Sequence, residues 1–156
     1  MLDINYVIGD ATCPESDSDI IIIAHICNDV GAWGKGFVLA ISKKWKEPEL
    51  CFRNDEINGL GDIDLIEVEP NLFVCNMIAQ HGISAINNIP PIRYDALRIC
   101  LIKLRKYILE RSFYSYSVNM PKIGSGLAGG DWNTIEKIII EELCIYNIEV
   151  NIYTLK

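Results

Sequence analysis

Two stretches of this chain set glycine among polar residues in a way that can hold an anion. In the first, Asn28-Asp29 is followed by Gly31, Gly34 and Gly36 within nine residues. In the second, Gly124-Ser125-Gly126-Leu127-Ala128-Gly129-Gly130 runs without a break. Glycine lets main chain approach a ligand closely, and loops of this kind leave N–H groups free, which suits a phosphate. The plain alternative for either loop is a turn with no ligand. Only two histidines are present, His25 and His81. An imidazole can serve as general acid or base near neutral pH. His25, however, lies inside an apolar run, so a buried, hydrogen-bonded core histidine is the competing reading.

The elements around these loops are what must position them. Ile20 to Cys27 is an almost unbroken apolar run with four consecutive isoleucines, which stiffens it towards strand. A strand apolar on both faces is usually a central one. After the first loop, Phe37, Ile41 and Trp45 fall on one face of a helix. The loop therefore joins the end of a buried strand to a helix N-terminus, a common place for a phosphate. Pro48 stops that helix and opens a second, where Leu50, Asn54 and Ile57 share a face and Asn58-Gly59 end it. Ile4 to Ile8 predicts a first strand closed by Gly9-Asp10. Ile63–Glu69 and Leu72–Ala79 predict a hairpin around Pro70-Asn71. His81 to Pro91 reads as loop, with Gln80-His81 able either to line a cleft or simply to pack there.

Tyr94 to Arg111 is the clearest helix, with Leu97, Leu101, Leu104 and Ile108 as its apolar stripe. Tyr114–Met120 predicts the strand that leads into the second glycine loop. A last helix follows, capped by Asp131 or Asn133, with Trp132, Ile135, Ile139, Leu143 and Tyr146 facing inwards. Ile148–Thr154 closes the chain as a strand. Strands and helices interleave, so the class is α/β with a largely parallel sheet and helices on both faces. Two glycine loops at strand ends of such a sheet lie on the same edge and can grip a diphosphate between them.

Gly124 to Gly129 matches G-x-G-x-x-G, the dinucleotide fingerprint. That fingerprint belongs in a first strand–helix turn with further units after it. Here one helix and one strand remain, so a dinucleotide fold of that kind is rejected.

The 156 residues are expected to form one domain spanning residues 1–156. A net charge of −7 disfavours general nucleic-acid binding, because an acidic surface repels phosphate-rich duplexes. No apolar run approaches the roughly 20 residues that cross a membrane. Met1-Leu2-Asp3 carries no basic segment and no apolar core of a secretory signal. The six cysteines are dispersed, never C-x-x-C, and read as buried thiols of a reducing, cytoplasmic setting. With only two distant histidines, no metal is expected.

Taken together, four features resemble the macrodomain family. They are I-N-Y-V-I-G-D (Ile4–Asp10), A-H-I-C-N-D-V-G-A-W-G-K-G (Ala24–Gly36), M-P-K-I-G-S-G-L-A-G-G-D-W (Met120–Trp132) and the closing I-Y-T-L (Ile152–Leu155). Within the family the loops look closest to the ADP-ribose 1″-phosphate phosphatases and the deacylating ADP-ribosyl hydrolase-like branch. The resemblance implies a three-layer α/β/α fold with a central mixed, largely parallel sheet that binds ADP-ribose or an ADP-ribosylated substrate in a surface cleft. It implies that Asp10, beside Ala11, accepts a hydrogen bond from the adenine amino group, where the residue-level alternative is a turn aspartate. It implies that Ser125, Gly126, Leu127 and Ala128 offer N–H groups to the diphosphate, with Gly124, Gly126, Gly129 and Gly130 allowing close approach. Asn28 would meet the distal ribose, and Gly31 to Gly36 would wrap it.

The resemblance also matches His25 to a histidine that phosphatase-like members use. Trp33 would stack on a ribose or else anchor its loop, and Lys35 would contact a phosphate or else point to solvent. Two family signatures are absent. A Lys after the fourth strand and an Asp after the second loop's G-L are replaced by Gln80 and Ala128. The implied activity is hydrolysis of a group from the distal ribose, without metal or cofactor. The alternative is a non-catalytic reader of ADP-ribose, and a third reading is a domain for another nucleotide. Oligomeric state is not indicated.

Overall fold

The isoleucine run does open a central strand. In the computed structural model, which describes residues 1–54 and 59–155, it becomes β2 (Ile20–Asn28). Around it stand β1 (Asn5–Ile8), β3 (Ile63–Glu69), β4 (Leu72–Gln80), β5 (Tyr116–Pro121) and β6 (Glu149–Thr154). Four helices connect them: α1 (Phe37–Lys44), α2 (Glu47–Asn54), α3 (Tyr94–Leu109) and α4 (Trp132–Glu142). The sheet order is β1-β6-β5-β2-β4-β3. Every pairing is parallel except β3 with β4, the expected hairpin. β2 lies between β5 and β4, so the two strands that lead into the glycine loops are direct neighbours. This is a mixed, mostly parallel α/β sheet with helices on both faces.

Alternation along the strands sorts the core into two parts. Ile22 and Ala24 of β2, Met77 of β4, Met120 of β5 and Ile152 of β6 point to one face and are buried under α3 and α4. The expected α3 stripe of Leu97, Leu101, Leu104 and Ile108 belongs to this cluster. Ile23 and Cys27 of β2 with Val74 and Ile78 of β4 point to the other face, under Val38 and Ile41 of α1 and Phe52 of α2.

Among the described residues the second face is covered by helix over β2, β4 and β3 only. Its other half is polar: Asn119 of β5 accepts from Asn151 of β6 at 2.9 Å and donates to Ser117 at 3.0 Å. The connection 11–19 lies over this half, with Ser18 bonded to Ser117 at 2.9 Å and the Glu15 amide donating to the Tyr153 hydroxyl at 2.8 Å. Short polar side chains there satisfy one another, and among the described residues no buried side-chain polar atom is left without a partner.

Several expectations are corrected. In α2 the buried residues are Pro48 and Phe52, while Leu50 is 55% exposed, and Ile57 and Asn58 lie outside the described residues. Tyr146 is 44% exposed, because α4 ends at Glu142 and a short 3₁₀ turn breaks the helical spacing; Arg105 of α3 stacks on its ring. Asp131, not Asn133, caps α4, accepting from the Thr134 amide at 3.1 Å and its hydroxyl at 2.8 Å. Cys13, Cys27, Cys75, Cys100 and Cys144 are free thiols. Cys13, expected to be buried, is exposed in the 11–19 connection beside Lys44, and Cys51 is half-buried. Among the described residues no helix is long and apolar enough to cross a membrane.

Candidate functional site

At the carboxyl edge of β2 and β5 a cleft of about 540 Å³ opens between the two glycine loops. That volume suits a ligand of nucleotide size. Of the expected site residues, His25, Asn28, Gly34, Lys35, Gly36, Gly124, Gly126, Leu127 and Ala128 line it. Asp10, Ala11, Gly31, Trp33, Ser125 and Gly130 do not. Each of the six has a local reason.

Asp10 stands at the end of β1, two strands from β5. Its Oδ1 accepts from the Thr12 amide and the Thr12 hydroxyl, both at 2.8 Å. The amide first and then the hydroxyl hold its carboxyl below the usual range. Ala11 beside it is buried. Gly31 makes the turn of the first loop at φ 77°. Trp33 is buried against Phe52 of α2, with ring centroids 5.4 Å apart, and donates from Nε1 to the Ser42 hydroxyl of α1 at 2.8 Å. It therefore anchors the loop from beneath. Ser125 bonds the Lys122 carbonyl through its hydroxyl at 2.8 Å. Gly130 packs under Gly124, donating to its carbonyl at 2.6 Å.

The first loop is organised by Asn28. Its Oδ1 accepts from the Val30 amide at 3.1 Å and the Ala32 amide at 3.0 Å, and its Nδ2 donates to the Ala32 carbonyl at 2.7 Å. Beyond it the amides of Trp33 to Val38 have no acceptor among the described residues. Gly36 lies within this run as the residue before α1, at φ 81° and without a side-chain cap. In the second loop the amides of Gly126, Leu127 and Ala128 are likewise without acceptors among the described residues. The loops meet where Leu127 touches Gly36, a Cβ at which would lie 3.2 Å from the leucine methyl. Two lysines, Lys35 and Lys122, line the cleft, and among the described lining residues there is no Asp or Glu. On a chain of net charge −7 this edge is locally rich in donors and positive charge.

His25 forms part of the wall but is 1% exposed. Its Nε2 meets Asn76 Oδ1 at 2.5 Å, and Asn76 in turn donates to the Pro48 carbonyl at 3.1 Å. That geometry puts the proton on Nε2. Burial pushes its pKa down to about 4, against a partial upward pull from the Asn76 bond, so the ring is neutral at pH 7. Trp33 packs edge-on against it, centroids 5.5 Å apart, with Phe37 at 5.9 Å.

The sequence reading missed a pair that stands just outside the lining, at the β2–β4 end of the cleft. Asp29 Oδ2 bonds His81 Nδ1 at 2.7 Å, and its Oδ1 accepts from the Gly82 amide at 2.8 Å. Burial pushes the Asp29 carboxyl up, but the Gly82 amide and His81 outweigh it and leave the group below the usual range. Gln80 and Ile83, on either side of His81, line the cleft. Fifty-two residues separate the pair, and only the β2–β4 pairing joins them. The clue was that both residues directly follow neighbouring strands. Among the described residues no group of His, Cys, Asp and Glu is arranged to hold a metal.

Fold and cleft together define a macrodomain-type protein. The structure is similar to a Bacteroides thetaiotaomicron protein of unknown function, 48% identical over 97% of this chain and 98% of that one, with a TM-score of 0.92. A Streptomyces coelicolor macrodomain protein is 40% identical over 97% of this chain and 99% of its own, with a TM-score of 0.81. The chain belongs to the macrodomain family. Among curated proteins it is 26% identical over 166 residues to the ADP-ribose 1″-phosphate phosphatase of Lodderomyces elongisporus, covering 99% of both. It is also 29% identical to the mouse chromodomain-helicase-DNA-binding protein 1-like, but spans only 17% of that protein's length. No family model matches the chain.

Proposed function

We propose that the cleft binds ADP-ribose or an ADP-ribose derivative, and that the protein hydrolyses a group from its distal ribose. The observation that carries this is the pair of unpartnered amide runs, Gly34–Val38 and Gly126–Ala128, lining one cleft after neighbouring strands. A diphosphate is acceptor-only, and such amides supply donors without any basic side chain. Lys35 and Lys122 add charge of the right sign. In this reading Asp10 offers Oδ2 to the adenine amino group, since Oδ1 is taken by Thr12. Asn28 and Gln80 then flank the distal ribose at the β2–β4 end. Rate enhancement comes from holding the substrate and an attacking water in place while amides stabilise developing charge. The Lodderomyces phosphatase, named for ADP-ribose 1″-phosphate, supports that substrate class.

We assign His25 to supporting the wall and the first loop. Its burial, and the absence of a carboxylate in the described lining, favour the second reading, a non-catalytic reader of ADP-ribose.

Calorimetric titration with ADP-ribose tests binding, and phosphate release from ADP-ribose 1″-phosphate tests hydrolysis. Asp10→Ala is expected to weaken binding about tenfold, roughly 1.4 kcal/mol, one hydrogen bond to a charged group. Wild-type protein that binds but releases no phosphate and deacylates no ADP-ribosyl ester is a reader. Wild-type protein that does not bind ADP-ribose ends both readings.

A further inference from the structure

We infer that His81, held by Asp29, is the proton-transferring residue of the cleft; the inference rests on the reading of the site as one that hydrolyses ADP-ribose derivatives. Of the two histidines, His25 belongs to the cleft wall but is 1% exposed, with Nε2 committed to Asn76 and Nδ1 4.0 Å from the Cys27 sulfur. His81 is the opposite case. Its side chain is half exposed just outside the cleft lining, to which Gln80 and Ile83 on either side of it, and Asn28 beside Asp29, belong. It stands at the β2–β4 end, where the distal ribose lies in the proposed binding mode.

The orientation of the ring is set through Nδ1. An ionised carboxylate only accepts, so Asp29 Oδ2, at 2.7 Å, places the proton on Nδ1 and leaves the Nε2 lone pair for a substrate or water. Asp29 is itself clamped: its Oδ1 takes the Gly82 amide at 2.8 Å, and its own amide donates to the Gln80 carbonyl at 2.9 Å. The His81 amide donates to the Pro91 carbonyl at 2.8 Å, and Ile92 donates to Ala128 of the second loop at 3.1 Å. The backbone bearing His81 is thus tied to both glycine loops. A carboxylate orienting an imidazole through Nδ1, with Nε2 free, is the arrangement by which acyl-transfer enzymes set a general base.

With ADP-ribose 1″-phosphate the step balances without a co-reactant. A water oxygen bonds to phosphorus and the bond from phosphorus to the ribose oxygen breaks, its electron pair staying on that oxygen. One water proton passes to His81 Nε2 and from there to the ribose oxygen. The second stays on the phosphate.

The test compares His81→Gly, Asp29→Asn and wild type on the full chain, each titrated with ADP-ribose and each assayed for phosphate release. Both variants are expected to bind ADP-ribose within about threefold of wild type and to lose about a hundredfold in kcat, the usual share of a positioned acid–base group. Added imidazole is expected to restore part of the activity of His81→Gly and none to Asp29→Asn, a response that a merely structural role would not show. His81→Gly that keeps wild-type kcat overturns the inference and leaves the binding reading standing. A loss of kcat matched by an equal loss of ADP-ribose affinity, without imidazole rescue, also overturns it, because the pair would then only brace the cleft. Wild-type protein that binds ADP-ribose without turnover overturns it too, whereas failure to bind removes the underlying reading first.

Discussion

The two glycine loops face the same cleft but are built by opposite means. The loop after β2 is shaped by side chains. Asn28 ties down the Val30 and Ala32 amides, Asp29 reaches across to Gly82 and His81, and Trp33 plugs into the core beneath. The loop after β5 is shaped by the lack of them. A Cβ on Gly124, at φ 72°, would lie 3.0 Å from both Ile135 and Ile92, and one on Gly130 would lie 2.6 Å from the Gly124 carbonyl oxygen. Both routes reach one result, a run of unpartnered amides. They differ in how each can fail: the first breaks when a group is removed or charged, the second when an atom is added.

Gly130→Ala presses hardest on that contrast. The methyl group would meet backbone rather than a pliable side chain tip, with the Ile135 methyl 2.9 Å away on another side. Overpacking of this kind is expected to destabilise by about 3 kcal/mol. For a chain of this size that is roughly a 6–12 °C fall in Tm, read by thermal unfolding. An unchanged Tm would mean that the second loop yields easily, and the contrast between the loops would collapse.

Acid should act on the first loop alone. His25 packs against Trp33 and Phe37, which hold that loop, whereas no histidine lies beneath the second. Its folded pKa of about 4 is below the ordinary 6.5, so the unfolded chain binds the proton more readily. The stability that neutral His25 provides is therefore complete above about pH 6.5 and is lost as pH falls towards 4. Between about pH 7.5 and pH 5 the loss is about 2 kcal/mol, from the two pKa values taken together. Urea unfolding of wild type and His25→Gln at both pH values isolates it, since carboxylates titrate alike in the two proteins. Equal pH slopes would show that His25 is not the acid-sensitive anchor of this loop.

The same contrast explains what could be read in the sequence. Glycine announces itself, so the second loop, its position after a strand and its shared edge with the first were all legible from spacing. The strand and helix order followed from the isoleucine run and the α3 stripe, because burial imposes those periods directly. What a side chain does at the end of a strand depends on what the neighbouring strand brings beside it. Asn28 was read as a ribose contact, but its amide is largely engaged in shaping its own loop. Trp33 was open between stacking and anchoring, and α2 decided it by supplying Phe52. Asp29 and His81 meet only because β2 and β4 pair with a one-residue register shift after Cys27 that sets Asn28 opposite Gln80, which no local pattern announces. The polar half of the sheet escaped notice for the same reason. Ser117, Asn119 and Asn151 are unremarkable in sequence and form a network only once β5 and β6 are neighbours.

Gly126→Ala has the smallest expected effect on the fold and speaks most directly to the ligand. A Cβ there meets nothing within 4 Å, and the backbone is not in the left-handed region. Stability should therefore stay within about 0.5 kcal/mol of wild type, as for an ordinary surface change. The methyl group would, however, stand in the cleft beside the amides proposed to hold the diphosphate. ADP-ribose affinity is expected to fall about tenfold, roughly 1.4 kcal/mol, by calorimetry. Gly34→Ala is the matched change in the first loop, since its Cβ also meets nothing within 4 Å. If Gly126→Ala weakens binding and Gly34→Ala does not, the diphosphate leans on the loop made by absent side chains, and the other loop serves the distal ribose. If both weaken it equally, the two amide runs share the diphosphate. If neither does, the ligand lies away from both loops, and the proposed binding mode is wrong even where ADP-ribose binds.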